Sequence, residues 1–552
     1  MSIRIGTLAF VLTIGILTGC VTSGVTQSGD VTFFRRANLD FILPNTSPGP
    51  GDSTDVLDAT ATPGELEGIG FGVRSGRDLN GATCTVSDLT GPGGAVISAS
   101  AIDTRVVQVW EQKGLRGKGF DRIEVAEGLL KDDSLNLLDP QYTETNLPSI
   151  PPDAAVSTSL RGGQSKGFYL IVNVPQSAVA GDYQGTVSVG NAQSSGTARV
   201  VVHVLPYRLQ GPGRIIGMYY NDNIDEETTL PMYRARLQMM RSMGVDGLRL
   251  LANRQSMPQE LQEIKAAGFS GPVMVWDSKG MFAPNAQNIF RAYVKNLKTA
   301  GFAPYIYGVD EPNDNVPAGQ PKSMEGEAQV MQLTKDLGGL TTTALMKKTA
   351  EALSAQGNVL DFPLYSIVQN TGWDEYADSL MRDSGPRADK PHPLEGYYYG
   401  CWAENPRRNR LLMGYYLFNS KMDAAYGWTF YTYHTRNTPQ IFNDFDLDGN
   451  KKRWMTVYPT KEGCAPTLQS EAFREGVDDL RYLNTFLTLA KEKEQAGQSA
   501  EPMRGQVLAA VARYNSFGQA KPEDVTAEQY TNKQFEGTRQ LIINATLKLL
   551  GK

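Results

Sequence analysis

Apolar and polar positions fall into distinct regimes along the 552-residue chain, each with its own period. From Ala61 to Leu205, short β-branched runs lie between Gly, Pro and Asp turns: Gly68–Val73, Thr83–Val86, Arg105–Trp110, Phe168–Val174, Gly185–Val189 and Ala198–Leu205. Runs at that spacing, with no amphipathic helix among them, predict a β-sandwich over 61–205. Beyond Pro206, apolar strands alternate with long 3.6-period segments. Arg214–Tyr220 leads to Pro231–Met243, Gly247–Leu251 to Pro258–Ala267, Val273–Trp276 to Ala286–Ala300, and Pro304–Val309 to Met324–Leu337. Thr341–Leu345 then leads to Lys347–Gln356, Asp361–Ile367 to Asp374–Arg382, Gly396–Trp402 to Arg408–Lys421, and Ala425–Tyr433 to Gln469–Ala490. Eight such units predict a (β/α)8 TIM barrel over 206–490. A doubly wound open sheet shares the alternation, but no Gly-rich phosphate loop follows the first strand. Residues 491–552 carry two further helical patterns, a C-terminal helical extension packed on the barrel.

The chain opens differently. Arg4 precedes an apolar run from Ile5 to Ile16, closed by Leu17-Thr18-Gly19-Cys20. This resembles a bacterial lipoprotein signal, too short to span a bilayer comfortably. The resemblance implies a signal peptide over 1–19 and a diacylglyceryl thioether on Cys20, so that a lipid anchors the protein to a membrane. Val21 stands where an Asp would argue for inner-membrane retention, which favours the outer membrane in a cell that has one. Residues 20–60, rich in Gly, Ser, Thr and Pro, are expected to form a flexible tether.

Composition narrows the partners. With 41% hydrophobic and 20% charged residues the chain is an ordinary globular one. Its 53 Lys and Arg against 59 Asp and Glu give a net charge of −6, without the basic excess that holds phosphate backbones, so nucleic acid is not an expected partner. Cys84, Cys401 and Cys464 remain after Cys20, allow at most one disulfide and have no metal-ligand spacing. The three histidines lie far apart, and neither metal nor cofactor is expected. Asp444-Phe445-Asp446-Leu447-Asp448-Gly449-Asn450 resembles the start of a calcium loop, but Met455 occupies the twelfth position where a bidentate Glu belongs, which favours a polar turn. Gly163-Gln164-Ser165-Lys166-Gly167 spells a nucleophile elbow, yet a strand follows it where the elbow needs a helix.

Barrel chemistry sits where strands end and their loops begin. The fourth exit reads Tyr307-Gly308-Val309-Asp310-Glu311-Pro312, and Pro312 marks the strand end. Two adjacent carboxylic acids thus stand on the barrel rim. Neighbouring strand residues face opposite sides, so both enter one pocket only if the backbone turns there. Glycoside cleavage needs an acid to protonate the leaving oxygen and a second group to stabilise the oxocarbenium-like charge. When the sugar carries a 2-acetamido group, its own carbonyl oxygen can attack C1, and the second carboxylate then only orients that amide. Trp276 and Trp402 end strands three and seven, and Trp428, Tyr431 and His434 lie in or just after strand eight, positions from which a rim pocket for a glycan can be lined. Core packing is the competing role for each tryptophan. Asp277 and Glu404 also follow strand-end aromatics.

At Asp310-Glu311-Pro312 the chain resembles the glycoside hydrolase family 123 β-N-acetylgalactosaminidases and their relatives. Pro63-Gly64-Glu65, Asp88-Leu89 and Val174-Pro175 through Ala180-Gly181-Asp182-Tyr183-Gln184-Gly185 look like that family's N-terminal sandwich. Tyr458-Pro459, followed by the stretch from Glu471-Ala472-Phe473-Arg474 to Leu480-Arg481-Tyr482-Leu483, looks like its late-barrel signature. The resemblance implies a β-linked 2-acetamido sugar as substrate, with the GalNAc type favoured. It makes Glu311 the general acid/base and Asp310 the group that positions the acetamido as an oxazolinium forms. Two alternatives stand beside it: a two-carboxylate retaining glycosidase with Glu404 as nucleophile, and a lipid-anchored glycan-binding protein on an inactive barrel. Arg474 and Asp478, four apart on a charge-rich helix, read as a solvated face or a structural clamp.

Overall fold

The computed structural model describes residues 30–113, 122–135, 139, 141–143, 146–313, 322–366, 392–401, 405–431, 454–515 and 530–552. Two sheets face each other in the N-terminal domain. One runs Val31–Phe34, Leu66–Ser75, Ser165–Asn173, Ile102–Lys113, Arg122–Leu130 in spatial order, every pair antiparallel. The other runs Val56–Ala61, Ser195–Val204, Gly181–Gly190, Leu79–Val86, Thr158–Leu160, its first pair parallel. Period-two patterning decides which side faces in: Ala198, Val200, Val202 and Val204 are buried while Thr197 and Arg199 are exposed. Between the sheets Phe33, Phe71 and Phe168 stack with ring centroids 5.5 and 5.6 Å apart.

This corrects the expected tether. Residues 31–34 and 56–61 are strands of the sandwich, and Phe33 and Phe34 are fully buried. Neither Val-Thr-Phe-Phe nor Val-Leu-Asp-Ala-Thr-Ala alternates cleanly between apolar and polar residues, and the Gly- and Pro-rich stretch between them is the loop that joins them. The Gly-x-Ser-x-Gly spelling enters a strand, as its neighbours require.

The barrel closes from eight parallel strands: Ile215–Tyr220, Gly247–Leu251, Val273–Trp276, Tyr305–Tyr307, Leu340–Leu345, Phe362–Ser366, Gly396–Gly400 and Ala424–Trp428. Alternate residues fill its interior, among them Tyr219, Met274, Tyr305, Tyr307, Phe362, Leu364, Tyr398 and Tyr426, so it is a packed core rather than a pore. Tyr426 lies over two glycines. A Cβ on Gly217 would stand 2.3 Å from its ring, and one on Gly247 2.5 Å from its hydroxyl. The helix expected over Arg408–Lys421 is two, Pro406–Met413 and Tyr415–Ser420, because Gly414 between them adopts φ −111° and ψ −125°, outside the helical region, and it lies too close to the Arg410 carbonyl for a Cβ. The long helix Leu468–Gln495 runs through the expected boundary at 490, and Met503–Ala512 and Asn532–Leu549 complete the C-terminal extension. Among the described residues no helix is long and apolar enough to cross a membrane.

A buried ionic network joins the parts. Arg474 pairs with Glu471 at 2.9 Å, Glu475 at 2.9 Å and Asp478 at 3.0 Å, and also donates to the Leu66 carbonyl of the sandwich. Asp479 takes Arg410 at 2.8 Å and Arg539 of the last helix at 2.7 Å, while Arg539 also reaches Glu475 at 2.6 Å. Tyr482 donates to Glu65 across the domain boundary at 2.9 Å. Buried charges persist only when paired, so the Arg474–Asp478 pair is a structural clamp rather than a solvated face.

Candidate active site

The fourth strand delivers the acid pair through a turn rather than an extended run. Gly308 N–H still reaches the fifth strand, donating to the Thr342 carbonyl at 2.8 Å. Glu311 then adopts φ 54°, the left-handed region, and its N–H donates to the Ala344 carbonyl at 3.0 Å. That conformation is uncommon for a residue with a Cβ and signals a turn fixed by its surroundings. The two neighbouring side chains therefore converge on one cluster. Tyr307 Oη donates to Asp310 Oδ1 at 2.6 Å, and Tyr398 Oη donates to Glu311 Oε1. Tyr219 lies between them, its hydroxyl 3.3 Å from that of Tyr307 and its ring centroid 5.6 Å from that of Tyr398.

Electrostatics agree with the geometry. Burial, and then the nearby carboxylates, push the three phenols above their ordinary range; Asp310 acts on Tyr307, Glu311 on Tyr398, and both on Tyr219. The phenols therefore stay protonated and serve as hydrogen-bond donors. Arg249 supplies positive charge from the second strand. Its guanidinium lies 4.1 Å from the Trp276 ring centroid, 4.9 Å from Tyr219 and 5.1 Å from Tyr307, and it donates to Asn221. Ser366, ending the sixth strand, donates to Tyr398 Oη at 2.9 Å.

Of the residues singled out from sequence, Asp310, Glu311 and Trp276 come together here. Trp428 is half-buried at the end of the eighth strand, its ring 4.9 Å from Trp454. Among the described residues Tyr431 is tied into the fold rather than left open. It is 1% exposed, its hydroxyl donates to Asp222, and Arg236 lies 4.9 Å over its ring, so it has no free face for a sugar. The eighth strand ends at Trp428, short of the expected Tyr433, so Tyr431 lies beyond the strand rather than in it. Asp277 is a structural anchor, bonded to Tyr293 at 2.6 Å, Gly280 N–H at 2.7 Å and Arg254 at 3.1 Å. Trp402, Glu404, His434, Cys20 and the Asp444–Asp448 loop lie outside the described residues. Cys84, Cys401 and Cys464 are free thiols, each pushed to about 12 by burial.

Sequence reasoning missed Tyr219, Arg249, Tyr307 and Tyr398. The signal was present: Arg249 interrupts an apolar strand between Leu248 and Leu250, which marks a charge turned into the barrel, and the tyrosines share its interior parity.

No family model and no curated protein matches the chain by sequence. Among solved structures, a family 123 glycoside hydrolase from Clostridium perfringens, described for glycolipid glycan hydrolysis, superposes with a TM-score of 0.64. It is 12% identical, and the match covers 94% of this chain and 97% of that one. A β-glucuronidase from Parabacteroides merdae has a TM-score of 0.33 at 11% identity, over 81% of this chain and 52% of that one. A putative β-galactosidase from Bacteroides fragilis has a TM-score of 0.33 at 9% identity, over 75% and 59%. The first shows the fold: a sandwich, an eight-stranded barrel and C-terminal helices in the arrangement of a family 123 glycoside hydrolase.

Proposed function

We propose that this protein is a glycoside hydrolase that cleaves a β-linked 2-acetamido sugar, GalNAc-type favoured, by substrate-assisted catalysis with retention. The observation that carries the reading is the convergence of Asp310 and Glu311 on one tyrosine cluster at a barrel rim, each held by its own phenol. Glu311 gives its proton to the glycosidic oxygen as the acetamido carbonyl oxygen attacks C1 and the C1–O bond breaks. Asp310, its Oδ1 fixed by Tyr307, orients the amide N–H and stabilises the oxazolinium cation. Glu311 then takes a proton from the water that opens the ring at C1, and two inversions give retention. The fold likeness to a family 123 glycoside hydrolase supports the same reading. Attachment to a bacterial envelope through lipidated Cys20 is part of the proposal.

The test is a panel of chromogenic β-GalNAc, β-GlcNAc, β-galactoside and arabinoside substrates, followed by the two acid variants. Glu311→Gln should lose about 10²–10⁴-fold on poor leaving groups and far less on activated aryl glycosides. Asp310→Asn should be impaired on both, and a thiazoline mimic should inhibit the wild type. Full activity in Asp310→Asn would sink the mechanism.

A further inference from the structure

The turn bearing the acid pair is held from behind by a carboxyl group that the chemistry above leaves unused. Glu327 lies in the first turn of the helix Met324–Asp336 and is 1% exposed. Its Oε2 accepts the Val309 N–H at 2.6 Å. A Cβ on Gly308 would stand 2.3 Å from that same oxygen, so the chain carries glycine where the carboxyl lies against backbone. Three other hydrogen bonds of the turn end on the fifth strand: Gly308 N–H to Thr342, Glu311 N–H to Ala344, and Thr343 Oγ1 to the Val309 carbonyl at 2.5 Å. The fourth side is Glu327. Its Oε1 is buried without a hydrogen-bond partner among the described residues. Burial pushes the carboxyl up to about 8 against a smaller opposing pull from the Val309 N–H, so near neutral pH it is an uncharged acid.

We propose that Glu327 is a positioning residue: by holding the Val309 N–H it sets the left-handed turn that brings Glu311 beside Tyr398, without touching substrate. The inference rests on Asp310 and Glu311 being the reacting pair. With the acceptor gone, a buried N–H is left unpaired, and Glu311 has reason to relax toward extended φ, which would swing its carboxyl to the opposite face.

Two variants separate this from a merely structural role. Glu327→Gln keeps the length, the acceptor and the neutral charge; Glu327→Met keeps the length and bulk but has no oxygen. On an aryl β-GalNAc substrate, the Gln variant should stay within about threefold of wild-type kcat, and the Met variant should fall about 100-fold with KM within about threefold. Crystal structures should show the Glu311–Tyr398 contact kept in Glu327→Gln and lost in Glu327→Met. If Glu327→Met does not fold, Gly308→Ala drives the carboxyl off the turn from the other side and is read in the same two ways. Equal losses in both Glu327 variants, or wild-type kcat and an unmoved Glu311 in Glu327→Met, would overturn the proposal. Should the wild type hydrolyse no 2-acetamido glycoside, the crystallographic comparison still decides: a turn displaced in Met and not in Gln upholds the positioning role while the proposed substrate falls.

Discussion

Replacing Glu65 with Gln should change stability little in mild acid and raise it at pH 8. Glu65 sits at the sandwich–barrel boundary, where its Oε2 accepts from Thr62 N–H at 2.7 Å, Thr62 Oγ1 at 2.9 Å and Tyr482 Oη at 2.9 Å. Burial first, and then the Asp478 carboxylate, raise its carboxyl from 4.5 to about 7; Arg539, the Thr62 N–H and Arg481 pull the other way and lose. A folded value above the unfolded one means that the folded state holds the proton more tightly. Stability from this group is therefore fully present below about pH 4.5 and is lost as pH rises through about 7. At 1.36 kcal/mol per unit the loss is roughly 3 kcal/mol. Glutamine imitates the protonated acid, keeping one oxygen for the three donors, and does not titrate. The assay is urea unfolding followed by tryptophan fluorescence for both proteins at pH 5 and pH 8. Because pH 5 already lies above 4.5, the stability difference in favour of Glu65→Gln should grow by about 2–3 kcal/mol between them. A difference constant across that range would refute the burial argument, and a Gln variant weaker at pH 8 would reverse its sign.

At the acid end the network works in the opposite sense: against burial, Arg539, Arg474 and Arg410 hold Glu475 down at about 2, so its contribution is present above about 4.5 and fades as pH falls toward 2. Arg539→Met, which strips a partner from both Glu475 and Asp479, should cost about 3–5 kcal/mol in denaturant unfolding, and a loss under about 1 kcal/mol would show the network to be slack. Tyr398→Phe removes the donor to Glu311 and should lower kcat about tenfold or more with KM nearly unchanged; full turnover would detach Tyr398 from the chemistry. Cys20→Ser protein should leave the membrane fraction, and its persistence there would count against a lipid anchor.

The barrel was legible because parallel strands buried on both faces read as apolar runs bounded by turns, and that signal survives without partners in view. All eight observed strands overlap the expected ones, although the fourth ends at Tyr307, short of the expected Val309, so that Asp310 and Glu311 lie in the turn beyond it. What periodicity cannot carry is the chain beyond an element's end. Tyr431 was expected in a strand that stops at Trp428, and Glu311 reaches the tyrosine cluster only through a φ of 54° that no residue pattern announces. The two N-terminal strands failed for a different reason. Val-Thr-Phe-Phe and Val-Leu-Asp-Ala-Thr-Ala do not alternate cleanly, and their membership is decided by partners further along the chain, Leu66–Ser75 for the first and Ser195–Val204 for the second.

The stretches that carry the family resemblance divide between two tasks. Glu65 of the sandwich and Glu471 through Tyr482 of the late barrel touch each other, through Tyr482 to Glu65 and through Arg474 to Leu66, and neither stretch supplies a side chain to the tyrosine cluster at the rim. Their charges are nearly all consumed by one another and by Arg410 and Arg539. A pattern so dense in acidic and basic residues looks like a functional surface when read along one helix, since a helix wheel reports which side chains share a face and not what covers it. Here the last helix and the sandwich cover it. The late signature is therefore a mark of how the sandwich, the barrel and the C-terminal helices are held together. The proposed chemistry rests on the much shorter run from Gly308 to Glu311, where a single backbone turn places two carboxylates on two different phenols.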